Sequence, residues 1–446
     1  MPPVYPFRAL RYASPLADLS SLVAPPYDVL DAQGKSGLLA KSRENIVAVD
    51  LPHIPAKELG PPGAYASAAA TLRAWVDSGV LRQESKPVMA VYRQTFQFHG
   101  TTQRRTGMFC TLDAVPFGPR QGGGVLPHEE TFSGPKEDRL ALMRATSTQL
   151  SPIFGLHQDE GGSAARLLAN LCAAQRADVT ADTDDGTHHE LRLIAGESLF
   201  AQYAEALRGE DVFIADGHHR YTTALNYLAQ LGAGLAPDHP ARRCMFVLVS
   251  MSDPGLVIGP THRVLGGMSG YSMDALVNAA RGTFDITPIA TSLNGLEAAM
   301  DAVANTTGRN ALGLYDFSTR VCAVATPSVA DPLLARFPGK PKEWRLLDVA
   351  LVQYLLVEEI AQKRLNAGEA VRWAFPHSIS EVNDIGAGHE RGSGGGKDFA
   401  PQLAVIVRPT PLASVRAVSR AGELMPQKST FFLPKLATGL LMNPLS

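Results

Sequence analysis

Cysteine is scarce in this chain. Four occur in 446 residues, and no two of Cys110, Cys172, Cys244 and Cys322 are close enough for a C-x-x-C metal or redox pair. Each sits among apolar neighbours, the common setting of a buried free thiol. A reducing, cytoplasmic location is expected. An excess of one charge is also missing. The formal net charge is -2, whereas a protein that tracks a nucleic-acid backbone carries a basic excess. No run reaches the roughly 18 consecutive apolar residues of a membrane span. The start, MPPVYPFRALRY, lacks the apolar centre of a signal peptide. There is no H-E-x-x-H and no G-x-S-x-G, so the zincin and serine-hydrolase classes are poor readings. The expected partners are therefore small molecules, with no nucleic acid and no membrane. The oligomeric state is not fixed, and a homodimer stays open.

What is present reads as a globular chain, 45% hydrophobic and 19% charged. Its length suggests two or three packed units. Helix-period and strand-period segments are interleaved, which predicts a mixed α/β (α+β) fold. AYASAAATLRAWVDSGVL and SGPKEDRLALMRATS read as helices. PVMAVYRQTFQFHG and RRTGMFCTLDAV read as two strands joined at a glycine, and ENIVAVDLP as a strand ending near Asp50. EWRLLDVALVQYLLVEEIAQKRL has the strongest helical period in the chain. The Gly/Ser-rich stretch 385–397 reads as a flexible loop. The expected organisation is an N-terminal α/β region (1–119), a core (120–265), a smaller lobe (266–340) and a C-terminal helix and strand region (341–446).

The chemistry concentrates in IADGHHRYTTAL, residues 214–225. Val212 to Ala215 is a short apolar run, and Tyr221, Ala224, Leu225 and Leu228 follow helical spacing. D-G-H-H-R therefore lies at a strand-to-helix junction. Gly217 permits a tight turn. The first amides of the following helix have no internal partner and, with the helix dipole, favour an anion. His218, His219 and Arg220 add donors, and arginine suits phosphate. Asp216 is placed for proton transfer or for holding a metal. The plain alternative is a helix cap beside a surface histidine.

This stretch resembles the strand-turn-helix motif of the ParB/sulfiredoxin superfamily, in which the turn binds nucleotide phosphates. One branch of it, the free-serine kinases, has the same D-G-H-H-R. The full chain resembles the bacterial and archaeal family catalogued as domain of unknown function family 1015. VAPPYDVL, ENIVAVDLP, HEETFSGPKEDRL, SPIFGL, ADGHHRYTTAL, THRVL and MPQKSTFFLPKLATGL carry that resemblance. It implies a ParB/sulfiredoxin-like core with large N- and C-terminal elaborations, and a catalytic carboxylate upstream of D-G-H-H-R, taken here as Glu129.

Other residues join the candidate set. In HEETFSGPKEDRL, His128 and Glu129 are candidate acid/base or metal groups, with Arg139 and Lys136 on phosphate; the plain alternative is that Glu137 and Asp138 stabilise a helix start while Lys136 and Arg139 are solvated. Glu130 reads as solvated. Tyr27 and Asp28, after a rigid Pro-Pro, either shape a pocket mouth or form a plain turn. Asn45 is a candidate contact for a polar substrate, with a turn role equally open. His262 and Arg263 offer a second anion contact. Lys428 precedes Ser429 and Thr430, but the glycine-rich lead of a P-loop is absent; as a point charge it can still neutralise phosphate.

Together these readings predict phosphoryl transfer to a hydroxyl metabolite, with free L-serine as the implied acceptor. The donor is ATP, ADP or pyrophosphate, with Mg²⁺ bridging its oxygens and borrowing Asp216 or Glu129. Asp216, Glu129 and His219 are the catalytic candidates. Gly217, His218, His219, Arg220, Arg139, His262, Arg263 and Lys428 are the phosphate contacts, and Tyr27, Asp28 and Asn45 bind substrate. The same site with water as acceptor is a phosphatase. A ParB-like nucleotide switch and a metal-dependent hydrolase using His128, Glu129, His218 and His219 also remain open.

Overall fold

The computed structural model describes residues 1–13, 17–56, 58–129, 133–388 and 399–446. Residues 389–397 of the Gly/Ser-rich stretch, and Glu130, lie outside the described residues. The fold is mixed α/β, and the chain divides into two compact units. Met1–Val257 with Phe432–Ser446 forms the first, and Ile258–Phe431 the second. No helix among the described residues is long and apolar enough to cross a membrane.

The first unit is built on a nine-stranded mixed sheet. Its order runs Val125–Leu126, Val212–Asp216, Ile153–His157, Arg243–Ser250, Thr101–Asp113, Met89–Phe98, His188–Ile194 and Val179–Asp182, with Val4–Tyr5 also pairing onto Thr101–Asp113. The long hairpin at its centre closes at His99 and Gly100. Both have positive φ, +46° and +74°, which matches the right-handed twist of the two strands. The strand Val212–Asp216 is buried along its whole apolar length, as expected for a strand with material on both faces. Val212 and Ile214 pack with Tyr221, Ala224 and Phe246 on one face.

The second unit carries a six-stranded antiparallel sheet, ordered Phe284–Ile289, Cys322–Pro327, Leu312–Asp316, Pro401–Ile406, Arg263–Gly266 and Arg372–Ala374. Alternate residues feed two cores. Ala323, Ala325, Leu403 and Val405 join one, while Cys322, Val324, Ala404 and Ile406 join the other, which is the period of two expected of a strand. All four cysteines of the chain are free and buried.

Two expected elements differ. ENIVAVDLP forms a short helix, Val47–Asp50, rather than a strand. The Asn45 side chain decides this. Its Oδ1 accepts from the Val47 amide at 3.0 Å, and its Nδ2 donates to the carbonyls of Ser21 and Val23, each at 2.9 Å, so a side-chain turn outweighs β propensity. The predicted long helix from Glu343 is also interrupted. Lys342–Arg345 ends before an extended Leu347, and a new turn begins at Asp348. The break lets the Asp348 carboxylate receive Asn310 and Arg408. From Val352 to Gln362 the helix widens to a π-helical pitch.

Candidate functional site

The D-G-H-H-R stretch falls at the junction its pattern predicts. Asp216 is the last residue of an inner strand, Gly217 has φ +99°, and the helix His218–Leu231 starts at once. No side chain caps that helix, so its first amides remain suited to an anion. A Cβ on residue 217 would stand 3.1 Å from the Arg220 guanidinium. Tyr221, Ala224 and Tyr227 form the buried face of the helix. Leu225 and Leu228 are only half-buried, a small rotation from the predicted stripe.

Asp216 is flanked by two cations. Lys435 Nζ donates to its Oδ2 at 2.8 Å, and Arg220 Nη2 lies 3.3 Å from its Oδ1. Arg220 also donates to the Pro152 carbonyl. Burial alone would raise the Asp216 carboxyl, but Lys435 and Arg220 overcome it and hold the group well below the usual carboxylate range. Asp216 is therefore a permanent anion that orients two cations, and a weak proton acceptor.

Lys435 was not among the predicted residues. It lies in the quoted segment FFLPKL, yet nothing in spacing or composition separates it from Lys428. Its position comes from the sheet. Arg105, only 1% exposed, donates to the Leu433 and Pro434 carbonyls at 2.9 and 2.5 Å. Gln94 donates to the Lys435 carbonyl at 2.9 Å, and the Ala437 amide donates to the Tyr92 hydroxyl at 3.3 Å. Three residues of the central hairpin thus hold the segment that delivers Lys435.

His128 and His218 meet edge to face, with ring centroids 4.7 Å apart. The His128 amide donates to His218 Nε2 at 3.3 Å. That nitrogen is an acceptor and the ring is neutral, fastening the chain at residue 128 to the start of the helix. Burial pushes the His218 ring well below its ordinary value and lowers His128 to about 4. His219 and Glu129 are half-buried.

A second cluster adjoins Arg220. Arg139 is buried with its guanidinium 4.0 Å over the Tyr27 ring. Its Nε donates to Asp138 Oδ2 at 2.7 Å, its Nη1 donates to the Asp50 carbonyl at 2.6 Å, and Nη1 lies 3.5 Å from Asp50 Oδ1. Asp138 in turn receives the Tyr65 hydroxyl and contacts His53 Nε2, both at 2.8 Å. Burial pushes the Asp50 carboxyl up, against the pull of Arg139 and Arg220. Tyr27, Asp50, Arg139, Ser151, Arg220 and Thr223 all line one cavity of about 40 Å³. Asp28 is half-buried outside that lining, and Asn45 is fully buried in its backbone bonds. Lys136 is half-buried and Glu137 exposed.

His262, Arg263 and Lys428 belong to the second unit. Arg263, 2% exposed, donates to the carbonyls of Thr261, Gln427 and Lys428. It secures backbone there. His262 is fully buried and its Nδ1 accepts from the Val407 amide at 3.3 Å. Lys428 is exposed, with φ +58°.

A family model described as "Protein of unknown function (DUF1015)" matches residues 4–350. The chain belongs to the DUF1015 family. No curated protein matches this DUF1015 chain. Among solved structures it is similar to a free serine kinase in complex with AMP, at 12% identity over 73% of this chain and 95% of that one, with a TM-score of 0.33. A conserved hypothetical protein from Pyrococcus furiosus matches at 13% identity, over 73% and 98%, with a TM-score of 0.33. SbnI from Staphylococcus aureus matches at 11%, over 72% and 84%, with a TM-score of 0.32. At these scores the likeness is partial, and the reading of the site rests on its own geometry.

A preformed protein site for Mg²⁺ does not fit this geometry. Asp216 is already paired with two cations. Among the described residues no group of three or more His, Cys, Asp or Glu could hold a metal. The hydrolase set fares no better at His218, whose Nε2 lone pair is taken by the His128 amide.

Proposed function

We propose that this DUF1015 chain is a small-molecule kinase that moves a phosphoryl group from a nucleotide or pyrophosphate to the hydroxyl of a compact metabolite, free L-serine first among them. The observation that carries the reading is the Asp216 carboxylate fixing Lys435 and Arg220 beside the uncapped start of the Gly217 helix. Backbone amides supply one side of an anion cradle and two cations the other. Phosphoryl transfer asks mainly for such positioning and charge neutralisation.

The acceptor oxygen bonds to the terminal phosphorus as the bond from phosphorus to the bridging oxygen breaks. The shortened donor leaves with the bonding pair, and the hydroxyl proton passes to a carboxylate. Asp216, held far below neutrality by its cations, suits that task poorly. Glu129 is the better acceptor, and His219 contacts the phosphate. Mg²⁺, where used, arrives on the donor's phosphates rather than in a protein cage. Water in place of the acceptor gives the phosphatase direction.

The test is phosphorus NMR of the protein with serine and ATP, ADP or pyrophosphate in turn, and with phosphoserine alone. Donor-dependent phosphoserine that disappears in Lys435→Met supports the kinase. Phosphate released from phosphoserine alone supports the phosphatase, and silence in every tube rejects both.

A further inference from the structure

The cavity beside the anion turn has its own recognition chemistry. Its volume, about 40 Å³, offers room for about three waters. That is the bulk of a compact amino acid and far less than a nucleotide. Its polar walls carry both signs, with Asp50 facing Arg139 and Arg220. The wider cluster is balanced. Asp50, Asp138 and Asp216 stand against Arg139, Arg220 and Lys435. A balanced wall favours a ligand that is neutral overall and carries both charges.

A second observation points to a ligand. Thr223 lines the cavity and is fully buried, yet its hydroxyl has no hydrogen-bond partner. Its neighbour Thr222 returns its hydroxyl to the His218 carbonyl at 3.0 Å, as a helical threonine can. Thr223 does not, and a buried unmet hydroxyl is costly. Ser151, also on the lining, donates to Asp50 Oδ1 at 3.3 Å and lies 3.1 Å from Thr438 Oγ1. Thr148 and Gln149 also line it, with their side chains already bonded to the backbone of Thr146, Arg243 and Met245. Leu142, Met143, Ile153 and Met245 add apolar surface that limits side-chain size. Arg220 belongs to both the cavity and the Asp216 turn, so a molecule held here adjoins the phosphate cradle.

We propose that this cavity is the acceptor subsite and takes a small zwitterionic hydroxyl amino acid, its ammonium on Asp50, its carboxylate on the arginine side and a polar atom on the Thr223 hydroxyl. The assignment deepens the kinase reading and rests on it for the word acceptor, although binding can be measured without turnover.

The experiment is calorimetric titration of L-serine, L-alanine and ethanolamine into the full chain without a donor, with pyrophosphate titrated in parallel. Thr223→Val and Asp50→Asn are the variants. L-serine is expected to bind more tightly than L-alanine or ethanolamine. Thr223→Val weakens serine by about tenfold, the worth of one hydrogen bond, and leaves pyrophosphate unchanged. The same variant raises the melting temperature of the free protein, since it replaces an unmet buried hydroxyl with a methyl. A merely structural threonine would not couple those two changes. Serine affinity unchanged in both variants overturns the subsite and leaves the kinase reading standing. Pyrophosphate binding without any serine binding in the unaltered protein also overturns it. Variant-sensitive serine binding with no phosphoserine from any donor upholds the subsite and removes the kinase reading.

Discussion

Asp216 and Lys435 lie 219 positions apart in the chain and 2.8 Å apart in space. Each is about one-fifth exposed at its side chain, so the pair is partly shielded from water. Lys435→Met leaves a half-compensated carboxylate and is expected to cost about 2–3 kcal/mol, below the range for a fully buried pair. The sign with pH follows from the depressed carboxyl. Its contribution is fully present above the unfolded value of about 4 and is lost as pH falls towards the lower folded value. Urea unfolding of the variant and the parent should therefore differ more at pH 7 than at pH 3. Equal gaps at both pH values would show that the pair carries no charge-dependent stability. Where phosphoryl transfer is measured, the variant should also lose about 100-fold in kcat/KM.

Gly217→Ala tests the turn itself. The residue sits at φ +99°, and its Cβ would press on the Arg220 guanidinium. A left-handed alanine costs about 1–2 kcal/mol. The larger effect should fall on function, because the Arg220 guanidinium must shift beside Asp216 to make room. Pyrophosphate affinity is expected to drop by more than the loss of stability accounts for. Matching losses would reduce the glycine to a backbone requirement.

Asn45→Ala should separate a structural residue from a substrate contact. Its amide makes three backbone bonds and is fully buried. The expected loss is about 2–3 kcal/mol of stability, with acceptor KM unchanged at a temperature where the variant stays folded. A raised KM with little loss of stability would return Asn45 to the substrate site.

The contrast between Asn45 and Asp216 marks what was legible in the sequence. The D-G-H-H-R junction could be read because its signals are local: an apolar run, a glycine and a helical stripe within seventeen residues. The paired strands on either side of Gly100 were readable for the same reason. Asn45 misled because two of its three bonds reach back to Ser21 and Val23, and no pattern in ENIVAVDLP reports that. Lys435 was missed for a similar cause. Its place depends on Arg105, Gln94 and Tyr92, more than 300 positions earlier. Arg263 looked like an anion contact by residue type, and only the structure shows its donors already turned to carbonyls.

The buried histidines should make the first unit acid-sensitive. Burial lowers His128 and His189 to about 4, and holds His218 well below its ordinary value. An unfolded histidine takes its proton near pH 6.5. Between pH 6.5 and about 4 the unfolded chain binds protons that the folded ring refuses, so stability falls as pH falls. Each such ring contributes about 1.4 kcal/mol per pH unit across that window. His128→Phe removes one of them. The substitution keeps an aromatic against His218 and Phe432, and it keeps the backbone amide that bonds His218. Stability measured by urea at pH 7 and pH 5 should then decline by about 2 kcal/mol less in the variant than in the parent. The remaining slope belongs to His189, His218 and the second unit's His262. Identical declines would mean that the His128 ring takes up its proton in the folded state as readily as in the unfolded one.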